Sequence, residues 1–169
     1  EGRNEVPETL DAQMIADAEQ LFRDGEKMQL TYTVRNTHRA VGTRLSSMIT
    51  RKFGMTGLRP GHVTVRLRGS AGQSLGAFSV QGLKLEVFGD ANDYVGKGLP
   101  GGTIVVRPPM ASGIVASENP IIGNTVLYGA PEGYLFAAGR AGERFAVRTS
   151  GARVAVAGCG SNRCDNNAG

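Results

Sequence analysis

The chain has 169 residues, of which 25 are glycine, 6% are aromatic and none is tryptophan. That length suits one domain, the glycines do not follow the every-third-residue rule of collagen, and no run approaches the roughly 18 apolar residues of a membrane span. The formal net charge of +4 hides a division: residues 1–27 carry eight acids against three bases, a balance of −5, and residues 35–68 carry eight bases and no acid, a balance of +8.

Two amphipathic helices are predicted in the first third of the chain. Apolar side chains recur at helical spacing in residues 8–22, where Pro7 precedes the segment and Thr9 can cap it. Residues 40–53 show the same spacing, and Gly54 follows where helices commonly end in a left-handed residue. Helices of this length persist only when an apolar face is buried, so we expect both to pack on or cap the N-terminal end of the remaining structure.

The rest of the chain is predicted to be β-structure. Seven segments alternate in polarity or are rich in β-branched residues: Leu30–Val34, His62–Arg68, Leu83–Phe88, Thr103–Arg107, Tyr134–Ala137, Arg144–Arg148 and Arg153–Ala157. No helical pattern separates these strands, which argues against a βαβ fold.

Glycine clusters recur about every 20 residues. Gly69-Ser-Ala-Gly-Gln-Ser-Leu-Gly76 and Gly89-Asp-Ala-Asn-Asp-Tyr-Val-Gly96 share one pattern, and degenerate copies begin at Gly139 and Gly158. Such a period is typical of solenoids, and glycine suits the corners because it accepts positive φ and close backbone approach. We therefore predict an all-β fold, a single-stranded parallel β-helix, with a β-sandwich as the alternative. Its structural glycines would be Gly69, Gly72, Gly76, Gly89, Gly96, Gly139, Gly142 and Gly158.

Two glycine motifs match catalytic or cofactor patterns without their context. Gly72-Gln-Ser-Leu-Gly76 fits a nucleophile elbow, but both histidines of the chain precede Ser74 and a strand follows. Gly96-Lys-Gly-Leu-Pro-Gly101 fits a dinucleotide fingerprint, but it runs into a strand where a helix is required. We expect no catalytic and no cofactor-binding residue in this chain.

The candidate metal ligands are sparse. Asp90, Asn92 and Asp93 lack the further ligands of an EF-hand and are expected to cap a turn. Cys159 and Cys164 are the only cysteines, too few for a zinc or cluster site, and so few thiols are typical of a reducing, cytoplasmic setting. His38 is expected to be a hydrogen-bonded structural residue, because no acid or nucleophile stands nearby. We expect no metal site.

The basic segment has two interpretations. It could be a nucleic-acid footprint, but Phe53 is the only aromatic in residues 35–68, and single-strand binders interleave stacking aromatics with their arginines. The alternative, which we favour, is that it faces an acidic neighbour, in this chain or in a missing part of a larger one. Neither nucleic acid nor a membrane is an expected partner.

An ordered set of motifs resembles the C-terminal domain, the GXGXG domain, of the glutamate synthase large (α) subunit. The resemblance extends from about Gln29 to Gly158, with the leader Arg3–Pro7. The segments that carry it are Val34-Arg-Asn-Thr-His-Arg-Ala-Val-Gly42, Gly69-Ser-Ala-Gly-Gln-Ser-Leu-Gly-Ala-Phe78, Gly89-Asp-Ala-Asn-Asp-Tyr-Val-Gly-Lys-Gly98, Gly101-Gly-Thr-Ile-Val-Val-Arg-Pro-Pro109, Ile122-Gly-Asn-Thr-Val-Leu-Tyr-Gly-Ala130 and Gly139-Arg-Ala-Gly-Glu-Arg-Phe-Ala-Val-Arg148.

This resemblance implies a right-handed parallel β-helix and a structural role. The parent enzyme transfers the amide ammonia of L-glutamine to 2-oxoglutarate and reduces the adduct, giving two L-glutamates. In that family an amidotransferase domain hydrolyses glutamine, a barrel domain holds FMN and a 3Fe-4S cluster, and an internal tunnel connects them. A small (β) subunit brings NADPH and FAD. The C-terminal domain carries none of these groups and holds the other domains in place. The resemblance favours an NADPH-dependent parent, with reduced ferredoxin as the open alternative.

The resemblance also divides the chain. Residues 1–27 would be an acidic leader with a helix, a linker from an upstream domain, and residues 28–169 would be the β-helix domain. After Gly158 the sequence departs from the family pattern, which raises the alternative of a domain truncated before its last coils. Another multi-protein enzyme with such a subunit, of the formylmethanofuran dehydrogenase type or a stand-alone synthase-like protein, is the alternative parent. A free-standing basic RNA-binding module is a third possibility.

Overall fold

The computed structural model describes residues 9–107, 120–122, 132–141 and 153–158. Within these ranges lie three helices and seven strands. The helices are α1 (Leu10–Asp17), α2 (Glu19–Asp24) and α3 (Thr43–Phe53). The strands are β1 (Met28–Val34), β2 (Val63–Ala71), β3 (Leu83–Ala91), β4 (Pro100–Arg107), β5 (Pro120–Ile122), β6 (Glu132–Ala141) and β7 (Arg153–Gly158).

The first predicted helix is present but is divided in two. Thr9 caps α1, since its side chain accepts a hydrogen bond from the Ala12 amide at 3.1 Å. The helical backbone breaks at Ala18, which ends α1 and precedes α2. Gly25 then ends α2 in the left-handed conformation, the common helix stop for a residue without a Cβ.

The second predicted helix is α3, which buries one stripe of side chains. Leu45, Ser46 and Ile49 are buried, and Phe53 stacks on Phe22 of α2 with ring centroids 6.4 Å apart. Gly54 follows the last residue with a φ of +80° and donates a hydrogen bond to the Thr50 carbonyl. The prediction of a helix ending at residue 53 is confirmed.

All strand pairs in the described residues are parallel, and they form one sheet. The order along it is β1-β2-β3-β4-β6-β5, with β7 paired to β6 and an additional pairing of β5 with β3. Six of the seven predicted strands lie within it, usually extended by a few residues. The short β5 escaped prediction, and the predicted strand at residues 144–148 lies outside the described residues.

The repeat spacing of the sequence matches the register of the central strands. Val63 pairs with Leu83, 20 residues later, and Gly69 pairs with Gly89. The next pair of strands is offset by 19 residues, since Lys84 pairs with Thr103. The spacing is not uniform, because β1 and β2 pair with an offset of 35, Met28 opposite Val63.

The predicted fold class is wrong. An all-β, right-handed, single-stranded β-helix would use helices only as covers, whereas the described residues form one parallel sheet with helices packed on it, an α/β-type arrangement. The strand pattern of the sequence also predicted against a βαβ fold, yet β1, α3 and β2 form such a unit. The physical reason is the crossover: parallel neighbours require a connection that returns the chain to the same end of the sheet, and residues 35–62 do this with a helix.

The core lies on one face of the sheet, which we call the inner face. Fully buried side chains of the central strands, such as Val65, Leu85 and Ile104, pack there against Leu45 of α3 and Met14 of α1. The helices of the described part are too short and too polar to cross a membrane.

Candidate functional site

The segments that connect the central strands stack on one another without becoming strands. Residues 72–78 lie between residues 38–42 and residues 93–98, joined by backbone hydrogen bonds. The amides of Ala40, Ser74 and Phe78 donate to the carbonyls of Gln73, Asp93 and Lys97 at 2.9, 2.8 and 2.8 Å. We call residues 38–42, 72–78 and 93–98 the stacked turns.

Gly72 sits where two backbones come too close for a side chain. A Cβ at this position would lie 2.5 Å from the His38 carbonyl oxygen and closer still to that of Asn36. Neither obstacle is a flexible side-chain end, so the surrounding backbone would have to move. The amide of Gly72 donates to the same His38 carbonyl at 3.2 Å, which ties the second stacked turn to the first.

The other predicted glycines fall at equivalent places of the repeat. Gly69 and Gly89 are neighbours in β2 and β3, and a Cβ on Gly89 would overlap the Gly69 carbonyl. Gly76 and Gly96 lie two residues before the ends of their turns, with φ values of +65° and +66°. Of the remaining three, Gly139 lies in β6 and Gly158 ends β7, and Gly142 lies outside the described residues.

Non-glycine residues in the stacked turns also adopt positive φ. Ala40, Ser74, Phe78 and Tyr94 have φ values between 50° and 61°. L-residues pay roughly 1–2 kcal/mol for this conformation. The hydrogen bonds between the turns impose it, because three of these four residues donate the amides that join one turn to the next.

The space between the stacked turns and the sheet is filled by apolar side chains. Leu75, Val95 and Leu99 from the turn segments are fully buried against Leu85 and Ile104 of the sheet. Polar groups enter it at two places. Ser46 of α3 accepts a hydrogen bond from the Val80 amide at 3.1 Å, while Ser79 is fully buried and its hydroxyl has no hydrogen-bond partner among the described residues.

A buried carboxylate joins α1 to the start of α3. Asp11 accepts hydrogen bonds from the amides of Gly42 and Leu45, at 2.9 and 3.0 Å. The N-cap residue of α3 is Gly42, which has no side chain to accept such bonds, so Asp11 caps the helix in its place. Burial raises the pKa of Asp11, and the opposing hydrogen bonds and the Arg44 guanidinium do not outweigh it. Both carboxylate oxygens of Asp11 are thus committed to the start of α3, which makes this pairing a structural one.

The opposite face of the sheet, the outer face, carries rows of polar side chains in register. Glu86 lies beside Arg66 of β2, with an Oε2–Nε distance of 3.2 Å, and its other oxygen lies 3.1 Å from Lys84 Nζ. Burial acts to raise the pKa of Glu86, but Lys84, Arg66 and the charge of Arg107 together lower it. The carboxylate is thus held in its ionised form by three cations.

The motifs set aside in the sequence have no catalytic geometry in the structure. Ser74 has a positive φ and lies in a turn that is followed by a strand, and Gly98 lies just before β4 while Gly101 lies within it. His38 accepts a hydrogen bond on Nδ1 from the Arg35 amide at 3.0 Å, and His62 Nε2 lies 2.9 Å from the Gly25 carbonyl oxygen. Both histidines therefore hold turns together.

Metal-ligand residues do not converge in the part of the chain that the structure describes. Within those ranges no three His, Cys, Asp or Glu residues come together as a metal site would require. Asp90 lies near the end of β3 and Asn92 follows that strand, both exposed, and the Asn92 side chain accepts a hydrogen bond from the Asp93 amide at 2.9 Å, as expected of a turn. Cys159 and Cys164 lie outside the described residues.

Comparison with known proteins identifies the family. The family model described as "GXGXG motif" matches residues 11–169. The chain belongs to the GXGXG motif family. It is 73% identical over 165 residues to the glutamate synthase [NADPH] large chain of Azospirillum brasilense, which covers 98% of this chain and 11% of that protein.

More distant relatives carry the same name. The ferredoxin-dependent glutamate synthase of Pyropia yezoensis is 52% identical over 79% of this GXGXG chain, and the glutamate synthase [NADPH] large chain of Bacillus subtilis is 40% identical over 96% of it. The resemblance stated from the sequence motifs is confirmed. The chain spans about a tenth of the length of these relatives, 9–11% in each case.

Sequence reasoning missed the two carboxylates that organise the structure. Asp11 was counted with the acidic leader, although its position within an apolar helical stripe is a signal of burial. In the sequence, Glu86 is one polar position in an alternating strand. Its pairing with Arg66 could have been predicted by aligning the two strands with an offset of 20 residues, which is the repeat spacing.

Proposed function

We propose that this GXGXG chain is a structural domain of a longer glutamate synthase polypeptide, without catalytic residues of its own. The observation that carries the proposal is the 73% identity, over nearly the whole chain, to part of a glutamate synthase large chain. At such similarity we expect the two segments to share their packing and their place in a larger enzyme.

The physical character of the described residues supports a passive role. The core is apolar throughout the central strands, the stacked turns are closed by backbone hydrogen bonds, and both described histidines hold turns. The buried acids, Asp11 and Glu86, are each committed to several partners. A stiff body with no converging reactive groups suits the task of keeping other domains at a fixed separation.

In this proposal the chemistry belongs to other parts of the parent. The parent would transfer ammonia from L-glutamine to 2-oxoglutarate, using an amidotransferase domain and a domain with FMN and a 3Fe-4S cluster. No described residue group of this chain fits a cluster. NADPH, delivered with FAD by a small subunit, is the donor we favour because the relative at 73% identity is named for NADPH. Ferredoxin stays the alternative, since a ferredoxin-named relative is 52% identical and another NADPH-named relative only 40%. Residues 1–27 would lead in from the preceding domain.

The proposal is tested on the purified chain of residues 1–169. We expect a folded circular-dichroism spectrum, no flavin absorption near 450 nm after incubation with FMN, and no glutamine hydrolysis. The Azospirillum relative purified in parallel is the positive control. A stoichiometric flavin spectrum or glutaminase turnover in the purified chain would contradict a non-catalytic role.

A further inference from the structure

Part of the outer face of the sheet is exposed, which is unusual for parallel strands. Parallel strands usually have both faces covered, and here the three helices and the stacked turns all contribute to the core on the inner face. On the other side, Thr64, Glu86 and Val105 are buried, whereas Thr31, Thr33, Arg66 and Arg68 are exposed and Tyr134 is 39% exposed. The exposed part of the face therefore centres on β1 and β2.

The same face carries more positive charge than it can neutralise. Four cations, Arg66, Arg68, Lys84 and Arg107, lie there with Glu86, which is shared between Arg66 and Lys84. Asp90, at the C-terminal end of β3, is the other described acid of the central strands on this side. Neither Arg68 nor Arg107 forms an ion pair with a described residue, so a surplus of two cations remains.

Arg107 marks the place where a partner group is missing. Its Nε atom is buried and has no hydrogen-bond partner in the described structure, and its guanidinium carbon lies 5.7 Å from the centre of the Phe88 ring. A buried donor without an acceptor destabilises the structure, because its hydrogen bonds to water are lost and not replaced. An incoming carboxylate would remove that cost, and Arg beside aromatic side chains is the composition of interface hot spots.

We propose that the outer face binds a carboxylate-bearing segment of the same longer polypeptide, from outside residues 1–169, with an acidic side chain against Arg68 and Arg107. This rests on the proposed function. The occupant follows from two observations: the relatives extend for about nine times the length of this chain, and the surplus charge of the face is positive. The row that binds it is Thr33, Arg68, Phe88 and Arg107, which are successive neighbours across β1 to β4.

Cysteine accessibility in the full-length parent polypeptide tests the assignment of the face. Single substitutions Thr33→Cys on the outer face, Ser47→Cys on α3 and Gln73→Cys on the stacked turns all replace exposed residues. Maleimide labelling is followed peptide by peptide by mass spectrometry and normalised to the same cysteine in denaturant. We expect Thr33→Cys to react at least tenfold more slowly than Ser47→Cys.

The outcomes separate the two proposals. If Thr33→Cys reacts as fast as Ser47→Cys while Gln73→Cys is protected, the outer-face proposal is overturned and a scaffolding role stands. If all three react freely, both are overturned. Protection of Thr33→Cys that disappears on dilution would identify a second copy of the chain as the occupant and would overturn the proposed one.

Charge reversal tests the chemistry of the occupant. Arg68→Glu, added to the Thr33→Cys polypeptide, should raise the labelling rate of that cysteine at least fivefold, because the incoming carboxylate is repelled. Arg51→Glu is the matched control: it makes the same charge change on the exposed side of α3 and should leave the rate unchanged. Equal rates in the parent, Arg68→Glu and Arg51→Glu polypeptides would overturn an acidic occupant.

Discussion

Two connections between neighbouring parallel strands perform the same task by different means. Residues 35–62 take the chain from β1 to β2 through α3, whereas residues 72–82 take it from β2 to β3 through a stacked turn. The helical connection satisfies its own backbone and needs a cap only at Gly42, which Asp11 supplies. The turn connection makes a few short hydrogen bonds of its own, such as that from the Ala77 amide to the Ser74 carbonyl at 3.1 Å, and is otherwise joined to the neighbouring turns.

The difference shows where each region is vulnerable. The helical connection depends on one buried carboxylate from a separate helix, so loss of that acceptor should destabilise it. The turn connection depends on close backbone approach at Gly72 and on the positive φ of residues such as Ser74, so its weak point is steric. Both connections pack on the same sheet side chains, and this common core couples them.

The largest effect is expected for Leu85, which both connections touch. A Cβ built on Gly42, at the start of α3, would lie 2.8 Å from Leu85 Cδ1, and one on Gly76 would lie 3.2 Å from it. Leu85→Ala should lower the free energy of unfolding by about 3–4 kcal/mol, since a fully buried leucine leaves a cavity. Urea unfolding of the purified chain measures this, with the exposed Met55→Ala as the near-neutral control. A loss below about 1 kcal/mol would disprove the shared core.

A single methyl group at Gly72 breaks the turn connection alone. Gly72→Ala should lower the free energy of unfolding by about 2–3 kcal/mol, because the added carbon meets two carbonyl oxygens. Gly61→Ala is the matched control: its φ is +74° and nothing lies within 4 Å, so only conformational strain of about 1 kcal/mol applies. Equal losses for the two variants would mean that the turns are not closely stacked.

Substitution of Asp11 breaks the helical connection alone. Asp11→Ala leaves the amides of Gly42 and Leu45 without an acceptor in a buried site and should cost about 2 kcal/mol. Asp11→Asn retains an acceptor oxygen and should cost less than about 1 kcal/mol. Thermal unfolding of the two variants makes the comparison, and an equally large loss for both would rule out the capping role.

The smallest predicted effect is the change in stability with pH, which should have opposite signs for the two buried carboxylates, Asp11 and Glu86. The pKa of Asp11 is raised by burial from its ordinary 3.8, so its contribution to stability is complete below that pH and is lost as the pH rises through the raised pKa. For Glu86, burial acts to raise the pKa, but the ion pairs with Lys84 and Arg66 lower it from 4.5. Its contribution is therefore present above that pH and is lost as the pH falls through the lowered pKa.

The measurement is the unfolding free energy of Asp11→Asn and Glu86→Gln relative to the parent chain between pH 3 and pH 7. The unfolding free energy of the parent chain minus that of Asp11→Asn should decrease as the pH rises. The unfolding free energy of the parent chain minus that of Glu86→Gln should increase as the pH rises. Slopes of the same sign would contradict the opposite environments of the two groups.

The sequence predicted elements better than their arrangement. Helices ending near residues 22 and 53, and strands beginning near residues 63 and 83, follow from local periodicity and glycine stops. The parallel pairing of β1 with β2 could not be predicted in this way, because the offset of 35 residues between Met28 and Val63 departs from the 20-residue period. The capping role of Asp11 was not predicted for the same reason: its partners lie more than 30 residues away in the sequence, and only the tertiary fold brings them together.

The ratio of glutamine consumed to glutamate formed, in the longer polypeptide carrying Gly72→Ala or Gly61→Ala, tests the scaffolding role most directly. We expect Gly61→Ala to keep the parent ratio, while Gly72→Ala consumes excess glutamine and releases free ammonia with its flavin content intact, since loosened domains no longer keep their spacing. If Gly72→Ala unfolds more easily yet keeps the parent ratio, this domain does not hold the reacting domains together.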